Sequence, residues 1–308
     1  MSRQTDANHA RTILGDDFFG GWNPEDAALF EKYAAPGGGE DGFITDYFGL
    51  RTRSAFHPGF EHVDGVAIAD PPIPDDMVRA EAIEYFATLH ALDTAAPDKF
   101  VVAELGASYG PWICFCAVLA RRTGRSDIRL TAVEASQFQF ELIPVHLRNN
   151  NVDPDADNVR LMCGAVSTTR ETLYFPKVRN PSENGGQAVT EKISVDYVGR
   201  EVEHEPVKGL PLSDIFQDEI YDLVHLDIQG SEAAVLAKSM QIVNAQVRSI
   251  FIGTHSRLIE GQLLELFHRE GWRLLRERPT KFSYCQDRPD VIGWTTRDGG
   301  QYWVNPRL

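Results

Sequence analysis

Glu104, Gly106 and Gly110 lie in the stretch AELGASYGP, where an apolar run ends on an acid and turns through spaced glycines. In an open α/β sheet, ligands bind outside the carboxyl ends of the strands, so this turn is a natural ligand contact. Glycine at Gly106 and Gly110 permits close backbone approach, and Ala107 and Ser108 keep the wall low. The turn lacks the Gly-Lys-Ser/Thr ending of a phosphate loop, and Ser108 stands where a dinucleotide fingerprint needs its second glycine. A purely structural turn is the remaining alternative. About thirty residues on, LTAVEAS ends a second apolar run at Glu134, followed by Ala135. A carboxylate there can accept hydrogen bonds from two ribose hydroxyls; capping the next helix or pairing with a surface cation is the plainer role. CGAVS supplies Gly164 and Ala165, small enough for a flat base to lie against.

HLDIQGSE places Asp227 at a further strand end, with Gly230 opening a helix. Strand alternation puts His225 and Asp227 on one face. His255 closes another apolar run, SIFIGTHS. An unperturbed imidazole titrates near pH ~6.5 and suits a proton carrier, so of the two candidates, His255 and Asp227, His255 is the expected general base and Asp227 is expected to orient the acceptor or a bound cofactor; a loop or capping histidine and a structural helix contact are the alternatives. Asp227, Glu232 and His255 also make a set of oxygen and imidazole ligands for Mg or Mn. Carboxylates near a helix start more commonly cap it, so a divalent metal is the less favoured reading.

These sites need strands that end together. From Phe100 onward the sequence alternates apolar runs with helical periodicity: FVVAELG, IRLTAVEAS, NVRLMCGAVS, YDLVHLDIQG and VRSIFIGTHS as strands, separated by helices, one of them interrupted by Pro144. Continuous apolar strands between helices predict a parallel sheet covered on both faces. WRLLRER and DVIGWTTR read as a terminal strand pair. The stretch from Thr168 to Lys208 breaks the rhythm, with ETLYFP and QAVTEKISVDYV as extended excursions.

The first 75 or so residues differ, being rich in Gly, Pro and aromatics. Glu25 to Tyr33 reads as a short helix capped by Asn23 with Pro24 at its first position. PPIPDD marks a boundary, and DDMVRAEAIEYFATLHAL has a helical face through Val78, Ile83, Phe86 and Leu89. Two regions follow: an arm over 1–75, and a larger domain over 76–308. In the arm, Tyr47, Phe48, Phe56 and Phe60 give flat apolar surface beside Arg51, Arg53 and His57, a combination suited to a sugar ring or an anion. Packing of the arm on the core is the competing expectation.

The chain has 308 residues and a formal net charge of -15, which opposes non-specific binding to nucleic acid or anionic membrane. No stretch has the length and apolarity of a bilayer span, and no targeting signal is visible at the start, so a cytoplasmic location is expected. Cys114, Cys116, Cys163 and Cys285 lack the clustered partners of a zinc site and read as buried free thiols.

AELGASYG, VEAS, CGAVS and LDIQGSEAAVL, in that order, resemble the FkbM family of S-adenosylmethionine-dependent methyltransferases over roughly the last two-thirds of the chain. The first motif is general to class I methyltransferases; Asp227 to Glu232 matches the family's own D-[IV]-x-G-x-E element. Glu104 replaces a frequent Asp, and Gln229 a frequent Glu. The resemblance implies a Rossmann-like, mostly parallel seven-stranded sheet and transfer of a methyl group from S-adenosylmethionine to a hydroxyl of a sugar, glycan or secondary metabolite. It further implies that Glu104 and the Gly106–Gly110 turn meet the amino-acid end and ribose of the cofactor, that Glu134 and Ala135 meet the ribose, and that Gly164 and Ala165 meet adenine. A non-catalytic nucleoside-binding protein and a nicotinamide-dependent oxidoreductase are the alternatives. The expected partner is a small-molecule or glycan acceptor, and the sequence leaves oligomerisation open.

Overall fold

The computed structural model describes residues 20–35, 37–73 and 81–308. The first 19 residues, Val78 and the last three residues of the PPIPDD boundary lie outside the described residues.

The strands, in chain order, are β1 (Phe43–Thr45), β2 (Arg51–Arg53), β3 (Lys99–Leu105), β4 (Asp127–Glu134), β5 (Val159–Cys163), β6 (Ala165–Val166), β7 (Thr172–Pro176), β8 (His204–Leu210), β9 (Leu223–Leu226), β10 (Ser249–Thr254), β11 (Arg273–Arg278), β12 (Lys281–Phe282), β13 (Thr295–Arg297) and β14 (Gly299–Val304). Seven form the central sheet in the order β11-β14-β10-β9-β3-β4-β5. The pairings β4–β5, β3–β4, β3–β9 and β9–β10 are parallel, and β14 runs antiparallel to both β10 and β11. Chain order reverses between β3 and β9, which makes their carboxyl ends the switch point where open α/β sheets bind ligands.

The apolar strands alternate their side chains between two helical layers. Phe100 and Val102 of β3 join a cluster with the helices Ala82–Thr94 and Pro111–Arg122; Val101, Ala103 and Leu105 join one with the helices Glu232–Gln246 and Arg257–Arg269. Pro144 lies in the first turn of the helix Ile143–Asn149, where its missing N–H costs nothing, and separates it from the helix Gln137–Phe140. Among the described residues, no helix is long and apolar enough to cross a membrane.

Three expectations change. WRLLRER is a strand, but it pairs with GGQYWV rather than with DVIGWTTR. The latter splits into a 3-10 turn at Val291–Trp294 and β13, which pairs with β12. Its Asp290 cap accepts from the Ile292 N–H, favouring the turn over an extended chain. Second, QAVTEKISVDYV forms only isolated bridges, at Val189 and Val195, while ETLYFP becomes β7 in a three-stranded sheet with β8 and β6. Third, Cys114 and Cys116 are buried free thiols, whereas Cys163 and Cys285 are half-buried.

The arm is core rather than an open aromatic surface. Tyr47, Phe48 and Phe56 are buried. Phe48 meets Tyr85 at 5.5 Å and Phe115 at 5.3 Å between ring centroids, so it packs against both helices of the first layer. Arg51 pairs with Glu40 and donates to the Asn149 carbonyl, which fixes it to the domain rather than to a ligand. Pro24 opens a 3-10 turn that leads into the helix Ala27–Lys32.

Candidate active site

The glycine turn after β3 closes against the end of β9. Gly106 has φ +84°, and a Cβ there would stand 1.8 Å from the Asp227 carbonyl oxygen, so only glycine lets the two strand ends touch. Ser108 holds φ +48°, a left-handed conformation uncommon for a residue with a side chain. Its amide donates to Glu134 Oε2 at 2.7 Å, and the Ser136 amide donates to Glu134 Oε1 at 2.6 Å. Glu134 thus ties the first turn to the second. Burial pushes its carboxyl up to about 7 against the pull of those amides.

Glu104 is 1% exposed and braces the same turn from below. Its two oxygens accept the N–H groups of Trp112 (3.1 Å) and Ile113 (2.9 Å), orphan donors in the first turn of the helix Pro111–Arg122. Burial raises its carboxyl to about 8 despite those bonds. The acid that ends the apolar strand is thereby explained: it satisfies the helix that the glycine turn starts.

These parts enclose a cleft of about 370 Å³ at the switch point. Glu104, Gly106, Ala107, Ser108, Glu134, Ala135, Gly164, Ala165 and Asp227 all line it. Gly110 does not; it caps the helix at φ +76° and packs toward Ile143, so its expected ligand contact gives way to a turn role. Among the described residues, seven carboxylates border the cleft (Glu81, Glu84, Glu104, Glu134, Glu183, Asp227 and Asp298) with no Lys or Arg.

His255 requires the largest revision. It is 2% exposed and lies behind Asp227, off the cleft wall. Its Nε2 faces Asp227 Oδ1 at 3.1 Å and its Nδ1 faces Glu232 Oε1 at 2.9 Å. Burial opposes charge on the ring, but Glu232 and Asp227 outweigh it and hold the imidazole protonated well above its ordinary range. A ring with both nitrogens bonded to carboxylates has no lone pair for an acceptor proton, so the general-base expectation for His255 is replaced by a cationic clamp on Asp227. Asp227 is the partly open member, its side chain 36% exposed. Burial raises its carboxyl, but His255 overrides that and keeps it below the usual carboxylate range. Asp227, Glu232 and His255 each offer one ligand atom within 4.8 Å of the others, the same trio weighed as a divalent-ion site. Metal ligation there would release the ring proton, so the same geometry serves a protonated clamp without a metal and a three-ligand set with one.

Other lining residues escaped sequence reasoning. Glu84 accepts from the Glu81 amide at 2.9 Å and meets His225 Nε2 at 3.1 Å, while the His225 ring stacks between Trp112 and Phe251. The E-x-x-E spacing before an apolar helix was its available signal. Burial raises the Glu84 carboxyl as well. Asp298 sits in RDGG at the entry to β14, a strand the sequence pattern missed.

The strand order, with one antiparallel strand inserted beside β10 and a ligand cleft at the β3/β9 switch point, defines a Rossmann-like methyltransferase fold. The FkbM methyltransferase domain matches residues 104–278, more than half the chain, and the protein belongs to that family. A relative from Jannaschia sp. (strain CCS1), named "Putative methyltransferase", is 27% identical over 266 residues, spanning 85% of this chain and 92% of the relative. Among solved structures, the FkbM methyltransferase of Methylobacillus flagellatus KT is 13% identical with a TM-score of 0.40, over 70% of this chain and 53% of that one. The C-terminal domain of precorrin-6Y C5,15-methyltransferase from Rhodobacter capsulatus is 15% identical with a TM-score of 0.41, over 74% and 90%.

Proposed function

We propose that the protein is an S-adenosylmethionine-dependent O-methyltransferase acting on a hydroxyl of a sugar, glycan or secondary metabolite. The observation that carries this reading is the composition of the switch-point cleft: a glycine turn, a strand-end glutamate and an ionised aspartate, within a mixed apolar and polar lining that has carboxylates and no Lys or Arg among the described residues. The donor set fits the cofactor, whose sulfonium and ammonium are cationic and whose ribose offers two hydroxyls. It fits a dinucleotide poorly, because a pyrophosphate would face carboxylates without a compensating cation.

S-adenosylmethionine supplies a methyl group activated on sulfur. The residues of this chain bind and orient. Glu134 accepts the ribose hydroxyls with the lone pairs its two amides leave free. Gly164 and Ala165 leave room for the flat base. Asp227, held ionised by His255, accepts a hydrogen bond from the acceptor hydroxyl. As the new oxygen–carbon bond forms, positive charge develops on that oxygen and its proton becomes strongly acidic. A carboxylate of low basicity is then sufficient to take it, and proximity supplies the rest. His255 acts through Asp227 as a positioning residue.

Calorimetry on the purified protein tests the reading. S-adenosylhomocysteine is expected to bind more tightly than NAD; the reverse order contradicts it. Turnover of S-adenosylmethionine to S-adenosylhomocysteine with an accepted hydroxyl compound distinguishes an enzyme from a nucleoside-binding protein that keeps the pocket alone.

A further inference from the structure

The segment between β7 and β8 holds a feature that cofactor binding does not use. It is anchored at both ends by the small sheet of β6, β8 and β7 and folds into a second cleft of about 380 Å³. The two clefts share one wall, Glu183–Gly186. That wall is pinned from both sides. The Ser108 hydroxyl of the glycine turn donates to Asn184 Oδ1 at 3.3 Å, and the Tyr197 hydroxyl of the second cleft donates to the Gly185 carbonyl at 2.8 Å. Gly185 and Gly186 bring no side chain to the wall, and the Phe175 ring of the first cleft packs directly on Gly186, where a Cβ would stand 2.5 Å from it.

The chemistry of the second cleft differs from that of the first. Its basic groups are each matched to a carboxylate: Lys177 pairs with Glu203, Arg179 with Glu203 at 2.8 Å, and Arg200 with Asp196 at 2.7 Å. An anionic ligand would have to compete with those carboxylates. A purely apolar ligand would bury the ion pairs without bonding them. Hydroxyls, which both donate and accept, can bridge paired ions without breaking them. The Tyr197 ring and Ile193, 40% exposed, add apolar surface for carbon-bound hydrogens.

We infer that this second cleft is the acceptor subsite, holding the body of an uncharged, hydroxyl-rich molecule such as a saccharide while one hydroxyl crosses the Gly185–Gly186 wall toward Asp227. The inference rests on the proposed hydroxyl methylation. It differs from acceptor recognition by the N-terminal arm, where Tyr47, Phe48 and Phe56 are buried and Phe60 is half-buried.

Saturation-transfer NMR on the full chain, with S-adenosylhomocysteine present, tests it. The probes are maltotriose and cellotriose as neutral saccharides, and glucose 6-phosphate and sialyllactose as anionic ones. The neutral sugars are expected to show contact and the anionic ones weaker contact. Ser182→Trp fills the cleft from an exposed position and is expected to abolish saccharide contact while leaving S-adenosylhomocysteine affinity unchanged within about twofold. Ile193→Ser, at another exposed position, is expected to weaken contact without touching the fold. Absence of neutral-sugar contact in the wild type, stronger contact with the anionic sugars, or contact that survives both variants overturns the inference. If the wild type fails to bind S-adenosylhomocysteine at all, the methyltransferase reading itself fails, which calorimetry registers separately from any saccharide signal.

Discussion

The two clefts share a wall and are built on opposite principles. The first stands on strand ends, where backbone amides and buried carboxylates lock one another: Glu104 holds a helix start, Glu134 holds two turns, and Glu232 with His255 holds Asp227. The second stands on loop, where exposed cations pair with the exposed Glu203 and with Asp196, a single buried carboxylate that also accepts the Val198 and Arg200 amides. A ligand group common to a whole family can be met by parts of the sheet itself. A ligand that varies is better met by a segment that can change without disturbing the core. It follows that substitutions in the first cleft should couple binding to stability, and substitutions in the second should not.

The largest effect is expected at His255. His255→Ala leaves Glu232, fully buried, with only the Ile228 and Gly230 amides as partners, and breaking a buried pair in this way costs about 3–5 kcal/mol. Chemical denaturation should show that loss, together with reduced kcat from a misplaced Asp227. Stability close to wild type would return His255 to the role of a dispensable base. Because Glu232 and Asp227 hold the imidazole well above its ordinary value of about 6.5, wild-type kcat should show no His255 limb at that ordinary pH.

Glu134→Ala comes next. It should weaken S-adenosylhomocysteine binding by about 1.5–3 kcal/mol, the usual loss for hydrogen bonds to a charged acceptor. The amides of Ser108 and Ser136 lose their partner at the same time, so a smaller loss of melting temperature should accompany it. Unchanged affinity in calorimetry would make Glu134 a brace and nothing more.

The effect of Glu104 is read as a slope against pH rather than as a loss at one pH. Its folded carboxyl is raised to about 8 by burial, so the folded state holds a proton that the unfolded state releases near pH ~4.3. The unfolded chain therefore binds fewer protons between those values, and stability falls as pH rises through them. One such group contributes a slope of at most about 1.4 kcal/mol per pH unit. Glu104→Gln should flatten the wild-type decline in melting temperature over that window; parallel curves would contradict the assignment. The smallest effect is predicted in the second cleft. Arg200→Ala removes one partner of an ion pair whose arginine is 64% exposed, and should cost at most about 1 kcal/mol in denaturation. A loss as large as that at His255 would erase the contrast between the clefts.

The sheet was legible because its strands are apolar on both faces and end on acids or glycines. Phe100–Leu105, Leu130–Glu134 and Leu223–Leu226 announce buried parallel strands without help from any other region. GGQYWV was missed because its two glycines read as a turn, yet Gly299 and Gly300 are strand residues with no space for a Cβ beside Thr254 and Phe251. The parts of the cleft contributed by one local motif were also readable: Gly106, Ser108, Glu134 and Asp227 each follow an obvious strand. The detail of pairing across distance was not. The sequence offered Asp227, Glu232 and His255 as one ligand set, and the structure brings them together; what SIFIGTHS does not say is that the His255 ring will be buried with a carboxylate on each nitrogen. Nor does the arm's run of aromatics say that Phe48 will stack on Tyr85. An aromatic segment looks the same whether it meets a sugar or a helix.

The central claim is that the switch-point cleft receives an adenosyl ligand. A crystal structure with S-adenosylhomocysteine tests it most directly. The account predicts the ribose hydroxyls within hydrogen-bonding distance of the Glu134 carboxylate, the base against Gly164 and Ala165, and the sulfur on the side of Asp227. A ligand seated elsewhere, or seated in the cleft with Glu134 making only its bonds to Ser108 and Ser136, would contradict it.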